Sequence, residues 1–423
     1  MEISGPRGTH DILPDESPLW QIMETNLRQM AELYGYSEVR LPIFEHTELF
    51  ERGVGDSTDI VQKEMYTFTD RGDRSLTLRP EGTAPCARAF IEHRVYTQAQ
   101  PTKWYYIGPM FRYDRPQAGR YRQFHQFGLE VFGSRDPNVD AEVIALLVRM
   151  AQRLGIKDAQ LRLNTVGCPD CRPLYRERML QYLKPFAGKL CKDCRQRMDK
   201  NPLRVLDCKN PGCQEVVKDV PAINSYLCDR CGQHFEQVRS MLTAYNVDYV
   251  LDSRLVRGLD YYTKTAFELL VPDLGAQAAI GGGGRYDGLI EQCGGPPTPG
   301  IGFAIGLERL LMAARKQDSE LWKLPPTMDV FVAVTDRDYD TQACQLLDRL
   351  RLAGIKADKD YMDRSLKAQM KFAGKSEARI VVVIGEEEIR KDSYVLRDMM
   401  YKEQQEVPSS EIIERIKSIL VTS

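Results

Sequence analysis

Residues 107–133 read IGPMFRYDRPQAGRYRQFHQFGLEVFG, and their reading decides the fold. An apolar strand ends at Phe111–Arg112, and a connection rich in turn formers, with Pro116 and Gly119, carries three arginines. The chain then returns with period-2 alternation, so successive side chains point to opposite faces. Phe124, Gln126, Gly128, Glu130 and Phe132 share one face; Phe127, Leu129 and Val131 share the other. The aliphatic face is a core face. On the opposite face, phenylalanines argue against full exposure, and a carboxylate in a dry core needs a partner. The wall of a ligand cleft satisfies both; an antiparallel hairpin with one wet face is the plainer alternative.

Upstream, the arm 1–14 is rich in Gly and Pro, and Leu19, Met23, Leu27, Met30 and Leu33 recur at helical spacing until Gly35. The run EVRLPIFEHTELF ends at Phe50, and Pro42 within it suits an edge strand or a helix–strand junction. Glu64–Leu78 reads as two strands joined at Asp70–Arg74, leading into Arg79-Pro80-Glu81-Gly82-Thr83 before a helical pattern. A carboxylate and a hydroxyl there make an ordinary helix start. Downstream come a helix over 139–154, a strand over 160–166, and RGLDYY at 257–262 before a strand. AAIGGGGRYDGL spans 278–289, where successive glycines weaken a strand unless something approaches the backbone closely. GIGFAIGLERLLMAA at 300–314 is a strand then a helix, with Arg309 at the helix start. Its glycines miss the spacing of a dinucleotide-binding loop.

Eleven cysteines are many, and eight fall between Cys168 and Cys231. Cys168/Cys171, Cys191/Cys194 and Cys228/Cys231 are separated by two residues, and Cys208/Cys213 by four. Pairs of this kind on short turns grip tetrahedral Zn²⁺, and two pairs complete a site. The arithmetic admits two structural four-cysteine sites, with His234 as a spare donor; reduced thiols without metal remain the alternative. Beyond a polar linker over 316–327, strands and helices alternate, which indicates a small α/β domain with a mostly parallel sheet.

At 423 residues the chain is expected to form two or three domains. With 43% hydrophobic and 28% charged residues its composition is that of a globular protein, and a net charge of −2 does not announce a nucleic-acid binder. No apolar run approaches membrane-spanning length and no apolar leader follows Met1, so a cytoplasmic location is expected.

Phe111-Arg112, the loop arginines and Phe124 resemble motif 2 of class II aminoacyl-tRNA synthetases. The wording from Arg115 to Gln126, with RGLDYY and GGRYDGL, is similar to histidyl-tRNA synthetases in particular. Residues 36–50 and 300–314 resemble motifs 1 and 3. The resemblance implies an α+β catalytic domain on an antiparallel sheet (1–325), a cysteine-rich insertion within it (168–250), and an α/β anticodon-binding domain (326–423). It further implies a homodimer, and activation of L-histidine with ATP and Mg²⁺ before transfer to tRNA(His).

By the same resemblance Arg112 holds the α-phosphate and the amino acid's carboxylate, and Arg257 is the second catalytic cation. Arg309 takes the triphosphate, Arg120 grips the outer phosphates, Phe124 stacks under adenine, and Asp114 accepts from its amino group. Many class II motif 2 segments carry Glu two residues after the arginine, where Asp114 stands here. Glu81, Thr83 and Gln126 surround the ammonium, Glu130 and Tyr262 meet the imidazole, and Tyr261 and Tyr286 wall the pocket. Arg115, Gln117 and Arg122 face the tRNA acceptor end, over which the insertion is expected to sit. Adenylate formation needs no general base, because a carboxylate is already a nucleophile. It needs alignment and cations, which planar arginine forks supply. Class I signatures and a Walker A loop are absent. An inactive paralogue would be expected to lose motif residues that this chain keeps. A prolyl or threonyl synthetase would lack RGLDYY with GGRYDGL. A zinc-dependent nucleic-acid-binding protein would leave the arginines and carboxylates unexplained.

Overall fold

The computed structural model describes residues 3–55, 58–272, 274, 278–317, 320–324 and 326–421. The first two residues of the arm, and residues 318, 319 and 325 of the linker, lie outside the described residues. The chain divides into two compact units, Met1–Trp322 and Lys323–Ser423.

In the first unit the strands are β1 (Ser37–Glu38), β2 (Phe44–His46), β3 (Tyr66–Thr69), β4 (Ser75–Leu78), β5 (Thr102–Phe111), β6 (Gln123–Phe132), β7 (Gln160–Thr165), β8 (Val250–Leu251), β9 (Thr263–Leu270), β10 (Ala279–Arg285) and β11 (Gly300–Gly306). Eight of them form one sheet in the order β1-β5-β6-β11-β10-β9-β7-β8; β2, β4 and β3 form a small second sheet. The six central strands pair antiparallel, whereas the short edge strands β1 and β8 pair parallel, so the sheet is mixed.

Alternation decides which face packs. Phe127, Leu129 and Val131 of β6 join Ile301, Phe303 and Ile305 of β11 in the main core. Helices Ser17–Leu33, Pro137–Arg153, Asp229–Ala244 and Leu307–Ala314 cover that face with Leu27, Ile144, Val238 and Leu310. The other face carries Gly300, Gly302, Ala304 and Gly306 on β11 and Gly282 and Gly284 on β10, leaving a trough instead of a second packed layer. The Thr83–Glu92 helix and the tyrosines 106, 261, 262 and 286 wall that trough.

The cysteine-rich segment builds its own core from Tyr175, Met179, Leu183, Val205, Val216 and Ile223, among others. Its last helix, Asp229–Ala244, packs Phe235, Val238 and Leu242 into the main core of the first unit.

The second unit holds β12 (Val330–Val334), β13 (Ala357–Lys359), β14 (Ile380–Ile384), β15 (Ser393–Asp398) and β16 (Gln404–Pro408) in the order β13-β12-β14-β15-β16. The first three pair parallel, as alternation with helices implies. A terminal antiparallel hairpin, β15–β16, is not signalled by the sequence and makes this sheet mixed as well. The polar composition of QQEVP hides an edge strand that buries little besides Val407.

Candidate active site

Glu130 lies at the closed end of the trough and is 1% exposed. It stands in register with Gly302 on β11, where a Cβ would come within 2.0 Å of Glu130 Oε2. Gly128 plays the same part for Tyr106, whose hydroxyl would be 2.2 Å from a Cβ there. The hydroxyl of Thr83 donates to Glu130 Oε1 at 2.7 Å, and that of Tyr286 donates to Oε2. Both carboxylate oxygens are thus engaged from within, and Glu130 sits beneath Thr83 and Tyr286, which line the cleft. Glu81 accepts the N–H groups of Thr83 (2.7 Å) and Ala84 (2.9 Å), so it opens the Thr83–Glu92 helix while also facing the cleft. The helix-start reading of Glu81 and its place in the site are therefore compatible.

Burial pushes Glu130 up to about 8; hydroxyl donors offset only part of the desolvation. Glu81 is raised for the same first reason. A carboxyl with an ordinary value near 4.5 that titrates near 8 in the fold binds more protons folded than unfolded across that window. Its stabilising contribution is complete below the unfolded value and is lost as pH rises through the folded one, at about 1.4 kcal/mol per pH unit. The ligand-free protein is expected to lose stability between pH 5 and 8 relative to Glu130→Gln, a difference readable by urea denaturation at several pH values. Parallel pH profiles for the two proteins would refute it.

The arginines converge from separate segments. Arg112, at the end of β5, donates through Nε to the Pro80 carbonyl at 2.8 Å and lies 5.3 Å from the Phe124 ring centre. Arg309 is fixed by the carbonyls of Gly119 (2.8 Å) and Ala279 (3.0 Å). Burial depresses it first, and the positive charges of Arg120 and Arg112 depress it further. Three mutually repelling guanidinium groups lining one cleft make a site for a polyanion. Arg257 enters from the loop before β9, over Gly282, and pairs with Glu268 at 2.6 Å. The acceptor Oε1 of Gln126 is buried at the cleft without a hydrogen-bond partner among the described residues, which suits a ligand N–H.

Of the residues singled out from sequence, Glu81, Thr83, Arg112, Asp114, Arg120, Phe124, Gln126, Arg257, Tyr261, Tyr262, Tyr286 and Arg309 line this one cleft. Arg115, Gln117 and Arg122 do not; Arg115 and Gln117 are exposed on the connecting loop. Asp114 pairs with Arg120 at 2.7 Å. Arg122 lies over Tyr113, with its guanidinium carbon 3.9 Å from the ring centre. The arm at the start of the chain pins this loop: Gly8 accepts the Arg122 N–H at 2.7 Å, and the His10 and Tyr121 rings lie 4.6 Å apart. Sequence reasoning missed Glu64, Tyr106 and Glu268, which also line the cleft. The alternation of β5 and β9 toward the glycine faces could have found the last two.

The eight cysteines gather into two tetrads, Cys168/Cys171/Cys228/Cys231 and Cys191/Cys194/Cys208/Cys213. The expectation of His234 as a spare metal donor is corrected. Its Nε2 lies 2.9 Å from Asp140 Oδ2, inside a buried network with Arg285 and Thr265.

A glycine-floored cleft on a largely antiparallel sheet, with arginines from three segments, defines the catalytic unit of a class II aminoacyl-tRNA synthetase. The family model described as histidyl-tRNA synthetase matches residues 8–170 and 203–310, and one described as anticodon binding domain matches residues 329–419. The chain belongs to the histidyl-tRNA synthetase family. It is 57% identical over 418 residues to the histidine–tRNA ligase of Desulforamulus reducens, covering 99% of this chain and 100% of the relative. Its identity to that of Syntrophomonas wolfei is 55% over 422 residues, covering 100% of both. In structure it is similar to apo histidyl-tRNA synthetase from S. aureus, with a TM-score of 0.82 and 39% identity, covering 98% of this chain and 100% of that one.

Proposed function

We propose that this chain is a histidine–tRNA ligase, which activates L-histidine with ATP and transfers it to the 3′ end of tRNA(His). The observation that carries this reading is the convergence of Arg112, Arg120 and Arg309 beside a pocket closed by a buried carboxylate. ATP enters with Mg²⁺ on its phosphates. The carboxylate oxygen of histidine attacks the α-phosphorus, the bond to the bridging oxygen breaks, and pyrophosphate leaves. A ribose hydroxyl of the tRNA then attacks the adenylate carbonyl and AMP departs.

In this reading Arg112 bridges the histidine carboxylate and the α-phosphate, and Arg257 is the second cation at the reacting phosphorus. Arg309 and Arg120 neutralise the outer phosphates. Phe124 stacks on adenine and Asp114 accepts from its amino group, which requires sharing Asp114 with Arg120. Glu130 receives one imidazole N–H and Tyr262 meets the other ring nitrogen, Tyr261 and Tyr286 wall the ring, and Glu81, Thr83 and Gln126 take the ammonium. Arg115, Gln117 and Arg122 face the acceptor end. The Lys323–Ser423 unit, which contains the match to the anticodon binding domain, reads the anticodon.

Homodimerisation is supported by two exposed residues of the small sheet, Phe44 within the motif 1 segment and Phe68 on β3, their ring centres 6.5 Å apart. Among the described residues no helix is long and apolar enough to cross a membrane. A cytoplasmic location fits cysteines that are all free. Structural Zn²⁺ is the finer cofactor reading that the two tetrads support.

The test is ATP–pyrophosphate exchange with each of the twenty amino acids and no tRNA. Exchange with histidine alone is expected; folded protein that exchanges with none would overturn the reading in favour of an inactive paralogue.

A further inference from the structure

Sequence spacing admits two four-cysteine sites but does not say which pairs combine. In the structure they nest: the outermost pairs, Cys168/Cys171 and Cys228/Cys231, meet at the root of the cysteine-rich segment, and the inner pairs, Cys191/Cys194 and Cys208/Cys213, meet each other. Within each tetrad the sulfur atoms lie within 4.8 Å of one another, with Cys168–Cys171 at 3.6 Å, Cys168–Cys228 at 4.0 Å and Cys191–Cys208 at 3.9 Å. A tetrahedron with Zn–S bonds of about 2.3 Å has edges of about 3.8 Å. The peptide groups agree. The N–H of Cys228 points at Cys171 Sγ (3.1 Å), that of Cys191 at Cys213 Sγ (3.2 Å), and that of Asn210 at Cys208 Sγ (3.5 Å). Donors aimed at sulfur are what metal-bound thiolates need around them, and neutral thiols accept such bonds weakly. Each tetrad supplies four thiolates, which fill the tetrahedral coordination of Zn²⁺, so no ligand position is left open to substrate.

The residues beside these tetrads reach the catalytic loop. Arg172, which follows Cys171, donates to the carbonyls of Val166 (3.3 Å) and Tyr262. Arg197, on the helix that begins after Cys191, pairs with Asp59 at 2.7 Å. Asn201 donates to Asp260 Oδ1 at 2.9 Å, and Arg204 donates to the Arg257 carbonyl at 3.2 Å. Two, then, of the groups that hold loop 257–262 in place come from the chain between Cys194 and Cys208.

We infer that the cysteine-rich segment carries two nested tetrathiolate Zn²⁺ sites, and that they position the loop bearing Arg257, Tyr261 and Tyr262 for adenylate formation. The coupling rests on the ligase reading above; the metal sites do not. Arg204 is a positioning residue, acting through the Arg257 backbone without touching substrate. A displacement of a cation by a fraction of an ångström at the reacting phosphorus lowers turnover more than ground-state binding.

Metal analysis of the purified full-length protein is expected to give about two Zn²⁺ per chain, one per tetrad. Cys213→Ser should retain about one, and its kcat for histidine-dependent pyrophosphate exchange should fall on the order of tenfold with KM values within about twofold. Where that variant does not fold, Arg204→Ala should keep both metals and show the same fall in kcat. Arg204→Lys, which can still donate to the Arg257 carbonyl, should recover most of it. Wild-type protein holding no zinc, or iron in its place, would overturn the metal sites. Arg204→Ala with wild-type kcat would overturn the coupling. Absence of exchange in the wild type would overturn the ligase reading and the coupling together, while two bound Zn²⁺ would still uphold the sites.

Discussion

Glu130→Gln is expected to lower kcat/KM for histidine in pyrophosphate exchange by about a thousandfold, while KM for ATP stays within about threefold. The volume is conserved, so packing against Gly302 is not the cause. The cause is that the carboxylate, ionised in the complex where the imidazole and two hydroxyls donate to it, is an acceptor-only group, and an amide with two N–H donors replaces it. Thr83 and Tyr286 both donate to the carboxylate, and in the proposed complex an imidazole N–H does too. A glutamine can satisfy at most part of that set, because its NH₂ end would face a donor. A thousandfold corresponds to about 4 kcal/mol of lost transition-state stabilisation, the size expected when a buried polar site is left mismatched. ATP contacts lie at the arginines, so its KM reports whether the fold around the cleft has survived. Unchanged histidine activation would sink the imidazole assignment. An equal collapse in ATP binding would mean that the carboxylate supports the cleft as a whole and does not select the amino acid.

The same carboxylate shows how far the sequence could be read. Period-2 alternation on β6 separates Phe127, Leu129 and Val131 from the Gln126 and Glu130 face, and the structure places them in the main core as that pattern requires. The glycine run of β10 is legible as a close backbone approach, and Arg257 and Tyr262 are what approach it. Cysteine spacing shows that two sites could exist, but nesting depends on which helix returns to the root, and that is tertiary information. Alternation could not show that Glu130 sits behind Thr83 and Tyr286, because a strand pattern assigns a face and not a depth. The arm at Gly8 and His10 carries no periodic signal at all; its hold on the 114–122 loop is made through backbone groups and one ring contact. Least legible is Arg285, which in GGGGRYDGL resembles a solvated turn residue.

Arg285 is 0% exposed, as is its partner Asp140. Its Nε lies 3.1 Å from Asp140 Oδ1, its Nη2 donates to the same oxygen, and Nη1 reaches the Ser134 carbonyl at 2.8 Å and Asp287 at 3.1 Å. Asp140 also accepts from Thr265 at 2.6 Å and meets His234 at 2.9 Å. Burial pushes the Asp140 carboxyl up, but Arg285 and His234 outweigh it and the net shift is downward. Arg285→Met removes the cation and leaves a charge with no water to turn to, so a loss of about 3–5 kcal/mol in urea denaturation is expected. Asp140→Leu alone should cost somewhat less, since the buried Arg285 keeps the Asp287 carboxylate and the Ser134 carbonyl. The double variant Asp140→Leu/Arg285→Met should cost clearly less than the two losses added, because the Asp140–Arg285 interaction is then lost only once and no buried Asp140 charge is left without its cation. Additive losses would show that each residue acts through packing and not as half of a pair. The network also has a route to the chemistry, because Tyr286 follows Arg285 directly and its hydroxyl holds Glu130. Whatever fraction of Arg285→Met remains folded should therefore show a raised KM for histidine with little change in KM for ATP.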